Sequence, residues 1–451
     1  MRKKKSDSRK KTTHSGKKEP VNVKDFYAYA PENRYIFIHD HSLWPASSVN
    51  ARISPIHQTD ALGNEFREKA TDWLSKQRSV EQMTWAPGFP LIIKDKLISK
   101  GGWIDKPGCR TFNQYQPPTI KPGDPEKAGP WIDHIKRIYP DDMDHILNWL
   151  AFRVQKPGVK VNHALVLGGA QGIGKDTILE PVYHAVGPWN FEDVTPSQLF
   201  GRFNGFIKAV IIRVSEARDM GEYDRYGFYE HMKIYISSPP VILRCDEKYR
   251  QEYSVVNVCG VIYTTNHKTG GIYLPPDDRR HYVAWSDCNK DEFDEEYFQK
   301  LWEWYRRQGG FENVVAYLQQ RPIDKFDPKA PPPKTPAFWE IVDAGRAPED
   351  ADLADALDKL GNPKAVTISM VVEKSEDPFR NWLLEKRNRR KIPNRFESAD
   401  YVQIRNDSAK DGLWKIGGKR VTVYVQRSLS ARERVQAAED LINNFHFYST
   451  K

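Results

Sequence analysis

The run Leu167-Gly168-Gly169-Ala170-Gln171-Gly172-Ile173-Gly174-Lys175-Asp176-Thr177 has the residue types and spacing of a loop that holds phosphate. It follows an apolar strand, Ala164 to Leu167, and opens a helix expected from Thr177 to Ala185. Glycines let backbone N–H groups curl round an anion, the helix N-terminus attracts it, and a lysine reaches the outer phosphates. Gly169, Gly172, Gly174, Lys175, Asp176 and Thr177 are therefore the candidate nucleotide-binding residues. The place after the lysine, usually a Ser or Thr that ligates magnesium, is Asp176, with Thr177 following; either could hold the ion. A glycine turn without function is the alternative, and the strand before, the helix after and the extra Gly168 and Gly172 count against it.

Such a loop needs an acid at the end of a neighbouring strand to orient magnesium and water. Lys208 to Val214 reads as that strand and runs into Ser215-Glu216-Ala217-Arg218-Asp219, making Glu216 the candidate base and metal ligand. Where two adjacent acids could share the work the first place is Ser215, so Glu216 does both jobs or Asp219 assists; a salt-bridged strand-end glutamate is the plain alternative. Gly260 to Tyr263 then delivers Thr264-Thr265-Asn266, an amide placed to bond a γ-phosphate or the attacking water. Asp277-Asp278-Arg279-Arg280 precedes a further strand, Tyr282 to Trp285. A planar, permanently ionised fork suits phosphoryl-transfer charge supplied in trans, so Arg279 and Arg280 are both candidates, with local ion pairs as the alternative. Between acid and amide, Val241 to Leu243 leads into Arg244-Cys245-Asp246-Glu247-Lys248-Tyr249-Arg250. A hairpin with this basic, aromatic tip puts Arg244 and Lys248 on a nucleic-acid backbone through salt-sensitive contacts; a merely solvated hairpin is the alternative.

These residues require an α/β core. The short apolar runs 164–167, 210–212, 241–243, 260–263 and 282–285 read as five buried strands of a parallel sheet. The organisation expected is a basic tail over 1–20, a mixed α+β accessory region over 21–155, the phosphate-loop domain over 156–321, a Pro-rich linker over 322–336, and a C-terminal domain over 337–451. Within the accessory region Arg34–His39 and Pro90–Ile93 read as strands, Ile132–Arg153 as a helical stretch, and Gly101–Pro118 as an ordered loop or an aromatic platform for bases. The last domain reads as a helix over 378–390, a hairpin turning at Gly417-Gly418 and a helix over 430–444, compatible with a winged helix. Its cluster Lys386, Arg387, Arg389, Arg390, Lys391 and Arg395 contains no acid and could lie along phosphates, or be a solvated helix end.

The chain has 451 residues, room for two to four domains, and 39% hydrophobic residues with 13 Trp and 21 Tyr, which excludes a largely disordered chain. Of the net charge of +9, residues 1–19 hold +7, leaving +2 for the rest, so the basicity is mostly a tail without a secretory signal's apolar segment: a solvated arm or a nucleic-acid contact. Apolar runs fall far short of the ~20 residues that span a bilayer, so no membrane partner is expected. Cys109, Cys245, Cys259 and Cys288 lack CxxC spacing, which argues for a reducing compartment.

Phosphate loop, strand ending in Glu216, hairpin at Lys248, Thr264-Thr265-Asn266 and the arginines together resemble the superfamily 3 helicases of viruses and phages, AAA+-like P-loop ATPases. Gly174-Lys175-Asp176-Thr177, Gly201-Arg202-Phe203-Asn204-Gly205-Phe206 and Asp277 to Arg280 look most like the helicase part of phage and prophage primase-helicases, with weaker likeness through 111–115 and 388–393. The resemblance implies ATP and Mg2+ as ligands, a ring that is often a hexamer, translocation on single-stranded DNA in phage or mobile-element replication, and a bacterial host cytoplasm. No carboxylate constellation in 21–155 supports nucleotidyl transfer, so primer synthesis is expected from a separate primase. Two competitors remain: a P-loop nucleotide kinase, which leaves Asn266 and the basic hairpin unexplained, and an ATP-switched DNA-binding or loader protein, which Ser215 keeps in play.

Overall fold

The computed structural model describes residues 21–215, 225–268, 271–344, 348–389 and 391–443. The chain forms two compact units: the part up to Ile272 with Asp277–Phe338, and Tyr273–Pro276 with the part from Trp339 onward.

The first unit begins with β1 (Phe26–Tyr29), β2 (Arg34–Phe37), β3 (Leu43–Trp44), α1 (Ala46–Arg52), β4 (Ile56–Thr59), β5 (Glu65–Glu68), α2 (Ala70–Gln77), β6 (Ser79–Val80), β7 (Gln82–Thr84), β8 (Ile92–Ser99) and β9 (Gly102–Asn113). Two sheets result, β3-β2-β1-β6 and β7-β9-β8, with β4 and β5 as a separate hairpin. Phe26, Val49 and Leu74 are wholly enclosed in one cluster of this region, each such side chain contributing ~1.5–3 kcal/mol. The segment expected as a loop over 101–118 is mostly the long strand β9. The breakers Pro107 and Gly108 fall where pairing jumps from Lys96↔Asp105 to Lys94↔Arg110, and Asp95, at φ 58, accepts the Gly108 N–H at 2.7 Å. A strand thus tolerates residues that a sequence reading takes for its end.

The stretch expected as one helix over 132–153 is two, α3 (Gly129–Ile138) and α4 (Met143–Gln155). Pro140 disfavours a helical Tyr139, which sits at φ −132°, ψ 66°. Then follow β10 (Ala164–Gly169), α5 (Lys175–Val186), β11 (Phe191–Val194), α6 (Pro196–Leu199), β12 (Ile211–Ser215), α7 (Arg225–Ile236), β13 (Ile242–Cys245), β14 (Tyr253–Val256), β15 (Gly260–Thr265), β16 (His281–Ser286), α8 (Glu295–Arg307) and α9 (Gly310–Gln320).

The sheet is five-stranded and all-parallel, in the order β11-β12-β15-β10-β16. Every residue of β10 and β15 is buried, as helix-covered faces demand. One expected strand is replaced: 241–243 belongs to the antiparallel hairpin β13-β14, and the fifth strand is β11. That edge strand exposes Glu192 and Asp193 between buried Phe191 and Val194, so it has no continuous apolar run. Arg153, enclosed at the end of α4, donates to the carbonyls of Pro157, Val159, Val210 and Val258 and so ties the entries of β12 and β15 together.

Residues 322–335 contain no helix or strand, and α10 (Pro336–Ala344) leads into the second unit. That unit holds α11 (Pro348–Lys359), β17 (Ala365–Thr367), α12 (Ile368–Lys374), α13 (Asp377–Leu384), α14 (Ile392–Ser398), β18 (Tyr401–Ile404), β19 (Trp414–Ile416), β20 (Lys419–Val421), β21 (Val423–Gln426) and α15 (Ala431–Asn443). Its sheet runs β17-β21-β18. Gly417 and Gly418 turn the β19-β20 hairpin with φ 52° and 81°, the positive pair that a tight two-residue turn requires. The helix expected over 378–390 stops at Leu384: the Asn388 amide bonds the Trp382 carbonyl and the Glu385 carboxylate, local bonds that compete with helix continuation.

Candidate active site

The phosphate loop leaves the C-terminal end of β10 and enters α5 at Lys175. Gly169, Gly172 and Gly174 all have positive φ, 141°, 85° and 89°. At Gly174 a Cβ would stand 2.7 Å from the His134 ring and 2.8 Å from Phe298, so only glycine fits. The ammonium of Lys175 turns back into the mouth of the loop, donating to Gly169 O at 2.8 Å, Ala170 O at 2.7 Å and Asn266 Oδ1 at 2.7 Å. Burial pulls its pKa down, and neighbouring Asp176 opposes that. Asn266 is there because β15 lies beside β10 with Thr265 opposite Gly168. Two residues 91 positions apart, singled out on separate grounds, thus touch.

β12 lies next to β15, with Ser215 opposite Thr264. Glu216 and Asp219 fall outside the described residues. Asp176 is not directed into the loop: its carboxylate meets Arg213 Nη1 at 3.1 Å, and Arg213 also bonds Asp193 across β11-β12 at 2.9 Å. The Asp176 side chain is 70% exposed, whereas Thr177 is 9% exposed. The only sequence signal for Arg213 was a charge inside an apolar strand.

Four side chains that sequence reasoning missed hold the loop and its helix from behind. Tyr139 donates to Gly168 O at 3.0 Å, His134 to Gly174 O at 3.1 Å, Trp131 to Ile178 O at 3.0 Å and Tyr305 to Thr177 O at 3.1 Å. The last has a clear cause. Pro181 has no N–H to return to the carbonyl four residues back, so Tyr305 satisfies it. Since Gly174 O only accepts, His134 carries its proton on Nε2 and takes the Tyr297 hydroxyl on Nδ1 at 2.8 Å. Burial pulls its pKa down to about 4, so it is neutral. Nothing in the spacing of these residues announces the role.

The arginines lie elsewhere in the same protomer. β16 runs parallel to β10 with His281 opposite Ala164, and the Ala164 N–H meets Arg280 O at 2.8 Å. Arg279 and Arg280 therefore sit by the start of β10, while the loop leaves its end, roughly 17 Å away at strand rise. Arg280 Nε bonds Ser237 Oγ at 3.1 Å. Arg279 is exposed and makes no side-chain hydrogen bond or ion pair among the described residues. Asp278 is structural: burial pushes its carboxyl up, but His281, the Arg280 N–H and the Tyr229 hydroxyl hold it down at about 2.

In the β13-β14 hairpin, Glu247 turns inward to Lys208 at 2.7 Å, Arg250 at 3.2 Å and Tyr253 at 2.6 Å. That leaves Lys248 and Tyr249 outside, with Tyr249 91% exposed at φ 65° and the Lys248 ammonium 4.9 Å from its ring centre. Arg244 forms an ion pair with Glu252. In the second unit Arg389 and Lys391 are exposed, Arg390 lies outside the described residues, and Arg395 is bound by Asp350 at 3.0 Å.

The loop's geometry, with an ammonium inside a glycine-lined turn at a helix N-terminus, fits a nucleotide's phosphates. Thr177 and Asp176 are oxygen donors of the kind magnesium takes, although Asp176 must first part from Arg213.

Comparison with known proteins agrees with the architecture. Residues 167–280, the stretch from the loop strand to the arginines, match a family described as a family of unknown function, DUF5906. No curated protein matches. The apo C-terminal region (305–718) of NrS-1 is similar in fold, with a TM-score of 0.55 at 15% identity over 89% of this chain and 96% of that one. A second apo structure of that region gives 0.52 at 15% identity, over 85% and 91%. JCV helicase gives 0.30 at 12% identity over 52% and 66%. Among the described residues no helix is long and apolar enough to cross a membrane.

Proposed function

We propose that the protein is an ATP-hydrolysing motor of the superfamily 3 helicase kind, moving on single-stranded DNA in phage or mobile-element replication. The observation that carries this reading is the Lys175–Asn266 hydrogen bond at 2.7 Å. It joins a phosphate-loop lysine to the amide at the end of the adjacent strand, an arrangement that a glycine turn without function would not need. The five-stranded parallel sheet, whose strand β12 ends at Ser215 just before Glu216 in the sequence, supports the same reading.

In this scheme the loop N–H groups and Lys175 hold the outer phosphates, Thr177 or Asp176 contributes oxygen to Mg2+, and Glu216 orients the attacking water. Bound magnesium supplies charge neutralisation on the transferring phosphoryl group. Asn266 senses the γ-phosphate. Arg279 is supplied by a neighbouring protomer, because Arg280 is tied to Ser237 and both lie at the far end of β10. Lys248, Arg244 and the face of Tyr249 contact DNA, with the exposed Arg389 and Lys391 of a winged-helix-like C-terminal unit as a second contact. A ring, hexameric by resemblance, and a separate primase complete the proposal.

The test is ATP hydrolysis by the purified protein with and without single-stranded DNA, alongside Lys175→Ala. Turnover that DNA stimulates and the substitution abolishes supports the motor. Turnover indifferent to DNA overturns it and favours a nucleotide kinase, while tight ATP binding with negligible turnover favours the switch or loader.

A further inference from the structure

The β13-β14 hairpin does not stand alone. β14 lies alongside β7 and β8 of the N-terminal sheet, and the Thr84 hydroxyl donates to Ser254 O at 2.9 Å. Its base is braced from the same side: Lys208 reaches both Glu247 at 2.7 Å and Gln114 at 3.4 Å, and Arg250 donates to His41 O. The N-terminal module and the hairpin therefore present one continuous surface, and a groove of about 590 Å³ opens along their seam. Lys100, from the β8-β9 turn, lines it together with Ile242, Arg244, Glu252 and Tyr253.

The charges in this groove favour an anion. Glu252 is the one carboxylate among its lining residues and is already paired with Arg244 through Nε. An arginine has further N–H donors beyond Nε, so Arg244 can keep Glu252 and still meet a phosphate. Lys100 is exposed and has no ion-pair partner among the described residues, and the same holds for Lys94 and Lys106 of the same hairpin. Aromatic surface is adjacent: Trp103 stands opposite Ile98 beside the turn, with its ring 4.9 Å from that of half-exposed Phe89. Exposed lysines without ion-pair partners, with the partly exposed rings of Trp103 and Phe89 beyond the groove's own lining, match a flexible strand of phosphates and bases better than a rigid duplex.

We propose that this groove extends the track for single-stranded DNA, with Lys100 of the N-terminal module and Arg244 of the hairpin contacting neighbouring phosphates. The inference rests on the motor reading and gives the N-terminal module a function: it holds the strand that the hairpin moves.

Binding of labelled oligothymidylate to the full chain, followed by anisotropy over a salt series, tests it. Lys100→Gln should weaken binding several-fold and lower the slope of log affinity against log salt by ~0.7, one phosphate contact on a single strand. Lys100→Arg should restore the slope, which a structural role in an exposed turn would not require. If the wild type binds, Lys248→Ala weakens it and Lys100→Gln changes neither affinity nor slope, the groove is not part of the track and this inference alone falls. If the wild type binds no single strand, or binds only duplex, the motor reading falls with it.

Discussion

Lys175 has three N–H donors and all three are engaged, two by loop carbonyls and one by Asn266. A phosphate entering the loop must exchange with at least one of them, and the Asn266 amide is the partner best placed to register that exchange. Asn266→Ala is therefore expected to leave ATP binding within a few-fold of wild type and to lower turnover by ~10²–10³, the usual cost of removing a donor aimed at developing charge. Nucleotide titration together with single-turnover hydrolysis measures both, and equal losses in binding and turnover would argue that Asn266 merely positions Lys175. Tyr305→Phe removes a single hydroxyl and leaves Thr177 O without a donor beside Pro181. It should cost ~1–3 kcal/mol of stability, read as a shift in the urea midpoint. Legibility was uneven at this scale. The glycines, Lys175 and Asn266 could be found because the chain must deliver them at fixed offsets after apolar strands. Arg213, His134, Tyr139 and Tyr305 could not, because each acts through a carbonyl or carboxylate far away in sequence, and no local pattern encodes that.

Elements were legible where burial is two-sided and continuous. β10, β12, β15 and β16 announce themselves as apolar runs, whereas β11 is an edge with two exposed acids and β9 carries Pro107 and Gly108 through an irregular register. Over 132–153 the apolar residues recur at helical spacing, yet Pro140 divides the stretch into α3 and α4. Packing between elements also sets a pH limit. His134 and His163 are enclosed, and burial lowers their pKa values from the ordinary 6.5 to about 4 and about 3; His163 meets the partly buried His145 of α4 at 3.0 Å. Because the folded values are depressed, the unfolded chain binds protons first as pH falls. Stability from these rings is complete above ~6.5 and is lost progressively toward pH 4 and below. The midpoint of thermal unfolding of the first unit should drop across that window. His163→Phe, which has no proton to bind, should flatten the drop, and an unchanged acid limb would refute the assignment. At the hairpin tip, Tyr249→Ala should weaken single-stranded DNA binding by ~1–3 kcal/mol, whereas Lys248→Ala should act mainly on the salt slope. Anisotropy separates the two effects.

For the whole molecule the decisive geometry is the separation of Arg279 from the loop within one protomer. Parallel pairing of β10 and β16 puts the arginines at one end of the sheet and Lys175 beyond the other, a distance no side chain spans. On the motor reading, Arg279 acts on a neighbour's nucleotide, and neighbours that repeat head to tail form a ring where the rotation closes. Mixing tests this directly. Lys175→Ala disables a protomer's own loop but leaves its arginine, and Arg279→Ala does the converse. Each variant alone should be nearly inactive. Assembled together in equal amounts, about a quarter of the interfaces should pair an intact loop with an intact arginine and regain hydrolysis. Recovery toward that fraction requires transfer between protomers. If the mixture stays as inactive as its components while exchange of subunits is verified by energy transfer between labelled chains, Arg279 does not act in trans, and the exposed side chain beside β16 has another use.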